Sequence, residues 1–151
     1  MLEKSLVCRG GMGVVMSDQI ADKPKVLVAE DERDIRELIG YTLRFAGLDV
    51  TLTRNGAEAI AQVPQLKPDI IMLDVRMPKM TGYEACRALK DNPDTSRIPV
   101  VILSAKGQDG EIQQGKDAGA DHYIVKPFAP DKLTERVKDI LRDSGVTIDS
   151  K

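Results

Sequence analysis

From Lys25 onward the chain alternates short apolar runs with longer stretches whose apolar residues recur every three or four positions. Lys25–Ala29 (KVLVA) reads as a strand. Ile35, Leu38, Ile39, Thr42, Leu43 and Ala46 follow at helical spacing, with Gly47 as the stop. Leu48–Leu52 reads as a second, more polar strand. Asn55-Gly56 then turns the chain into a short helix carrying Ala57, Ile60, Ala61 and Val63, predicted to end near Pro64. Asp69–Leu73 (DIIML) and Pro99–Leu103 (PVVIL) are apolar strands, separated by a helix marked by Tyr83, Cys86 and Leu89 that ends near Asn92-Pro93. Residues 109–118 read as a helix with a weak apolar face, mainly Ile112 and Ala118. His122–Val125 is a fifth strand, and Leu133, Val137, Ile140 and Leu141 give a clean final helix.

Near-continuous apolar strands are the mark of parallel strands covered by helices on both faces. Five strand–helix units without a sixth favour an open sheet over a closed barrel. The predicted fold is α/β: an open, doubly wound, five-stranded parallel sheet in the flavodoxin-like order 2-1-3-4-5. Residues 24–144 are expected to form the domain and residues 145–151 a short tail. Residues 1–23 are expected to be an extension, disordered or upstream of the true start, since Met12 and Met16 are alternative starts.

Composition narrows the function classes. The 151 residues carry two Phe, three Tyr and no Trp, so the core must be aliphatic. The formal net charge of −2, with basic residues scattered, is not that of a nucleic-acid-binding surface. No apolar run approaches the ~20 residues of a membrane-spanning helix. Cys8 and Cys86 make no disulfide framework, and two reduced thiols in a cytoplasmic protein are expected.

In an open parallel sheet the functional crevice lies at the carboxyl ends of the strands. Glu30, Asp31 and Glu32 follow the first strand, Asp74 the third, Ser104 the fourth and Lys126-Pro127 the fifth. Clustered carboxylates repel one another without a cation. Oxygen-only donors suit a hard ion, and Mg²⁺ in particular. Lys126 and such a metal would neutralise a phosphoryl group, Ser104 would donate to one of its oxygens, and Asp74 would be the nucleophile forming an acyl phosphate.

AEDE at 29–32, DVRMP at 74–78 with Gly82 beyond it, SAK at 104–106 and GADHYIVKPF at 119–128 resemble the response-regulator receiver domain, over roughly residues 25–143. The resemblance implies that Asp74 accepts a phosphoryl group from a sensor histidine kinase or histidine phosphotransfer protein. It implies Asp31 and Asp74 as direct Mg²⁺ ligands, Glu30 as a ligand through water, and the Arg76 backbone carbonyl as the remaining protein ligand. Ser104 and Tyr123 become the switch pair, Lys126 the partner of the phosphate, and the Lys126–Pro127 bond cis. The switched surface would be the helix at 109–118, the fifth strand and the final helix. Asp121 and Arg136 match positions used by receivers that form homodimers there. Output is expected by contact with another protein, with neither nucleic acid nor membrane bound directly. Two features depart from the commonest pattern: the first acid is Glu30 where Asp is also frequent, and Arg76 and Lys106 are cations at positions that tune loss of the phosphoryl group.

Each residue also has a plain structural role. Asp74 alone could cap a turn, Glu30 to Glu32 could charge a helix start, Ser104 could be a turn residue and Lys126 could be solvated. His122 stands without the Cys or His neighbours a zinc site needs. Gly110-x-x-x-x-Gly115-Lys116 imitates a phosphate loop, but Asp117 stands where Ser or Thr should bind the metal. Two competing functions remain. One is a phosphorylation-independent scaffold adaptor. The other is a haloacid-dehalogenase-like phosphatase, which needs an acid where this chain has Arg76.

Overall fold

The computed structural model describes residues 23–77, 79–105 and 118–146. The strands β1 (Lys25–Ala29), β2 (Asp49–Thr53), β3 (Ile70–Asp74), β4 (Val100–Ala105) and β5 (His122–Lys126) form one sheet in the order β2-β1-β3-β4-β5. Every pairing is parallel. The predicted fold class is therefore the observed one. The helices are α1 (Arg33–Phe45), α2 (Gly56–Leu66), α3 (Gly82–Asp91) and α4 (Pro130–Asp143). The helix expected at 109–118 and the Gly110–Lys116 decoy lie almost wholly outside the described residues.

Alternation along the strands divides the interior into two cores. Val26 and Val28, Ile70 and Met72, and Val101 and Leu103 face α1 and α4, where they meet Ile39, Leu43, Leu133, Val137, Ile140 and Leu141. Leu27 and Ala29, Ile71 and Leu73, and Val100 and Ile102 face α2 and α3, against Ala59, Val63, Ala85, Cys86 and Leu89. A strand buried on both faces must be apolar throughout, as the three central runs are. Leu38, expected on the buried side of α1, is instead exposed, because Ile39 and Leu43 take the sheet contact and turn Leu38 toward Tyr41 and Phe45 on the outer surface.

Helix starts are set by local chemistry. Thr81 and Glu84 form a reciprocal capping box at α3, with bonds of 3.2 and 2.9 Å. Asn55 caps α2 by accepting the Glu58 N–H at 2.9 Å, so Asn55-Gly56 is a helix start rather than a free turn. Helix α2 also runs past Pro64 to Leu66: a proline in the last turn forfeits one backbone bond there and does not end the helix. Strand ends differ from expectation as well. β2 and β3 each lie one residue later than predicted, and Asp69 serves as an acceptor for the Lys25 N–H at 2.8 Å.

Gly82 opens α3 directly behind the end of β3, where its N–H donates to the Val75 carbonyl at 3.0 Å. A Cβ at position 82 would collide with the Asp74 carbonyl group. Backbone cannot retreat as a flexible side chain can, so Gly82→Ala is expected to cost about 1–3 kcal/mol of unfolding free energy, as overpacking does. Urea titration checks this; an unchanged midpoint would show that α3 slides away without cost.

Candidate functional site

The register of the sheet assembles the site. Ala29 pairs with Leu73, Asp74 with Leu103, Ser104 with Val125 and Ala105 with Lys126. Glu30, one residue beyond Ala29, therefore stands beside Asp74, while Ser104 and Lys126 approach from the other side. Asp74, Ser104 and Lys126 were expected just after their strands. They are instead the last or next-to-last residues within them, because the parallel ladder continues that far.

One cation joins the strands. The Lys126 ammonium donates to Asp74 Oδ1 at 2.7 Å and lies 3.0 Å from Glu30 Oε1. Glu30 and Asp74 are both buried, and Asp31 is exposed at the rim. One carboxylate oxygen from each of the three lies within 4.8 Å of the others. Asp31, Glu32, Asp74, Val75, Arg76, Leu103 and Lys126 line a cleft of about 240 Å³ over this cluster. Ser104 is 1 % exposed, and its hydroxyl has no hydrogen-bond partner among the described residues. Tyr123 is half-buried against the α2–α3 core, one strand position before Ile124. The Lys126–Pro127 peptide is cis.

Sequence reasoning thus places all the named acids, the hydroxyl and the lysine at one end of the sheet, and the structure brings them together. It missed Arg36. From α1 this residue donates through Nη1 to the carbonyls of Glu30 at 3.0 Å and Asp31 at 3.2 Å. A helical arginine has no pattern that betrays a contact with the loop before its own helix. Cys86, with its thiol against the Ala118 carbonyl at 3.5 Å, is pushed up to about 11 by burial, which makes it an inert packing residue. Lys106 lies outside the described residues.

The donor set fits a hard divalent cation: three carboxylates against one ammonium leave an excess of negative charge on oxygen donors alone. The electrostatics show the same imbalance. Burial pushes the Glu30 carboxyl up to about 7; its bond to Lys126 opposes this, and the charge of Asp74 adds to it. Burial works against the Lys126 ammonium too, but its bonds to Asp74 and Glu30 outweigh that and raise its pKa.

A carboxyl whose pKa is higher folded than unfolded binds a proton on folding. Its contribution is fully present below the unfolded value, near 4.5, and is lost as pH rises through about 7. In chelator, stability is therefore expected to fall between pH 4.5 and 7, by on the order of 1–3 kcal/mol. Glu30→Gln is expected to flatten that slope. Parallel pH curves for the two proteins in urea titrations would show that Glu30 does not hold the proton.

Residues 26–138 match the family described as the response regulator receiver domain. The chain is 40 % identical over 119 residues to the phosphate regulon transcriptional regulatory protein PhoB of Rhizobium meliloti, a match covering 79 % of this chain and 52 % of that protein. The chain thus spans about half the length of the curated relatives it matches. Its fold superposes on a putative response regulator from Chloroflexus aurantiacus with a TM-score of 0.76 and 34 % identity, covering 80 % of this chain and 98 % of the other. The receiver domain of a sensor histidine kinase from Pseudomonas aeruginosa, described with a magnesium ion coordinated in its active-site cleft, gives 0.74 and 28 %, covering 80 % and 98 %. With its sheet order, its acidic cleft and a family match across most of its length, this chain belongs to the response regulator receiver domains.

Proposed function

We propose that the domain is a phosphoacceptor switch: Asp74 takes a phosphoryl group from a phosphohistidine on a sensor kinase or phosphotransfer protein. The observation that carries this reading is the buried Asp74 carboxylate held by Lys126 beside two further acids, with the Ser104 hydroxyl lacking a partner among the described residues. An Asp74 oxygen forms the new P–O bond as the donor's P–N bond breaks. The Lys126 ammonium already lies where it can neutralise charge on the incoming phosphoryl oxygens. Asp31 and Asp74 would hold Mg²⁺ directly, with the Arg76 carbonyl, and Glu30 would hold it through water. The ion would supply charge neutralisation that one ammonium cannot.

The switch itself follows from satisfaction of a buried polar group. The Ser104 hydroxyl lacks a partner among the described residues, and a phosphoryl oxygen on Asp74 would provide an acceptor. Ser104 would move toward it, and Tyr123, on the neighbouring strand, would change its position in turn. The outward surface altered would be β5, α4 and the segment at 109–118, and a partner protein would read it. A homodimer through Asp121 and Arg136 belongs to the same proposal, in a cytoplasmic setting. Among the described residues no helix is long and apolar enough to cross a membrane. The transcription-regulator names of relatives belong to proteins of which this chain matches about half, and DNA-linked output through another segment is compatible with the same switch.

Incubation with Mg²⁺ and acetyl phosphate is expected to add one phosphoryl group to the intact mass. Prior chelation or Asp74→Asn should abolish the adduct. If neither acetyl phosphate nor a phosphohistidine donor gave an adduct, the scaffold reading would replace this one. Once formed, the adduct is expected to decay a few-fold faster in Arg76→Ala, because the long cation lining the cleft shields the acyl phosphate from water. Equal decay rates would remove Arg76 from that role.

A further inference from the structure

The acidic loop between β1 and α1 has an unusual support. Helix α1 starts at Arg33 with Glu32 as its N-cap, and no side chain caps it in the ordinary way. Two other contacts organise the loop. The Glu32 N–H donates to Glu30 Oε2 at 3.3 Å, and Arg36 reaches back from the helix to the carbonyls of Glu30 and Asp31. Those carbonyls belong to the two peptide planes that flank the Asp31 Cα. Holding both planes fixes φ and ψ at Asp31, and hence the direction in which its Cβ leaves the backbone. The helix that carries Arg36 is docked in place, since Ile39 and Leu43 on it are fully buried against the sheet.

We infer that Arg36 is a positioning residue that sets the Asp31 carboxylate for metal binding by clamping the backbone on either side of it. The inference rests on the metal reading of the proposed function. It has a distinct electrostatic signature. A guanidinium close to the acidic loop repels a divalent cation through space, so its charge alone would weaken binding and its removal would tighten it. The clamp has the opposite sign: losing it frees the Asp31 peptides and weakens binding. An ammonium in place of the guanidinium keeps the charge but sits on a shorter stem, short of the position from which Nη1 holds both carbonyls.

Calorimetric titration of Mg²⁺ into the full chain decides between them. Arg36→Lys and Arg36→Met are both expected to bind Mg²⁺ about tenfold more weakly, as loss of a ligand-orienting partner commonly does. Arg33→Ala removes a similar charge from the same helix, where Arg33 pairs with exposed Glu37, and is expected to bind no more weakly than the parent. Melting in chelator should stay within a few degrees of the parent for all three, separating the affinity loss from unfolding. Acetyl phosphate labelling of the Arg36 variants should recover at saturating Mg²⁺, which a direct role in phosphoryl transfer would prevent. Unchanged affinity in Arg36→Lys with tighter binding in Arg36→Met would overturn the inference and leave only a charge effect. A parent protein that binds no Mg²⁺ would overturn the metal reading itself, and this inference with it.

Discussion

The Lys126 ammonium between Asp74 and Glu30 is the contact on which the site depends. Two buried carboxylates at the end of an apolar sheet would each carry a desolvation penalty of several kcal/mol if left unpaired. Lys126 offsets part of it by reaching Asp74 at 2.7 Å and Glu30 at 3.0 Å. The strand order makes that reach available. β1 and β3 must be neighbours to place Glu30 beside Asp74, and β4, the strand that carries Ser104, separates β3 from β5, so that a long side chain has one strand to span. A lysine suits this position because its flexible stem crosses the intervening strand and delivers a compact charge with rotatable donors.

The acids also demand that the backbone behind them cannot shift. Gly82 packs against the Asp74 carbonyl group, and Gly56 lies close to Ala85 and the Met80 carbonyl. Together with Ala59 and Ala85 these small residues let α2 and α3 approach the sheet under the site. On the opposite face the packing is by large aliphatics from α1 and α4. The sheet is thus bulky on one side and tightly approached on the other, where the loop after β3 turns back into α3. The chemistry of Asp74 and the start of α3 are one structural unit.

Much of this was legible in the sequence because burial on two faces leaves so little freedom of composition. KVLVA, DIIML and PVVIL could hardly be anything but central strands, and Leu133, Val137, Ile140 and Leu141 all reach the core as their spacing requires. Strand termini were less legible. Asp74 and Lys126 look like loop residues by type, yet the ladder retains them because each neutralises the other across β4. The exposed face of Leu38, Tyr41 and Phe45 escaped notice since helical periodicity marks a stripe wider than the sheet covers. Arg36 was invisible for a different reason: its partners are backbone carbonyls, which leave no trace in residue identity.

Asp121 illustrates the same difficulty from the other direction. Its family resemblance suggests a charge offered to a second copy of the chain. In the structure Asp121 Oδ2 accepts the Val100 N–H at 2.9 Å and pairs with Lys90 at 2.6 Å. Lys90 also donates to the carbonyls of Ser96 at 3.0 Å and Ile98 at 2.8 Å. This network joins the end of α3 to the starts of β4 and β5, at the opposite end of those strands from Ser104 and Lys126. A second chain would meet a carboxylate whose charge is already balanced by Lys90. Its first physical task is to anchor the two strands that carry Ser104 and Lys126.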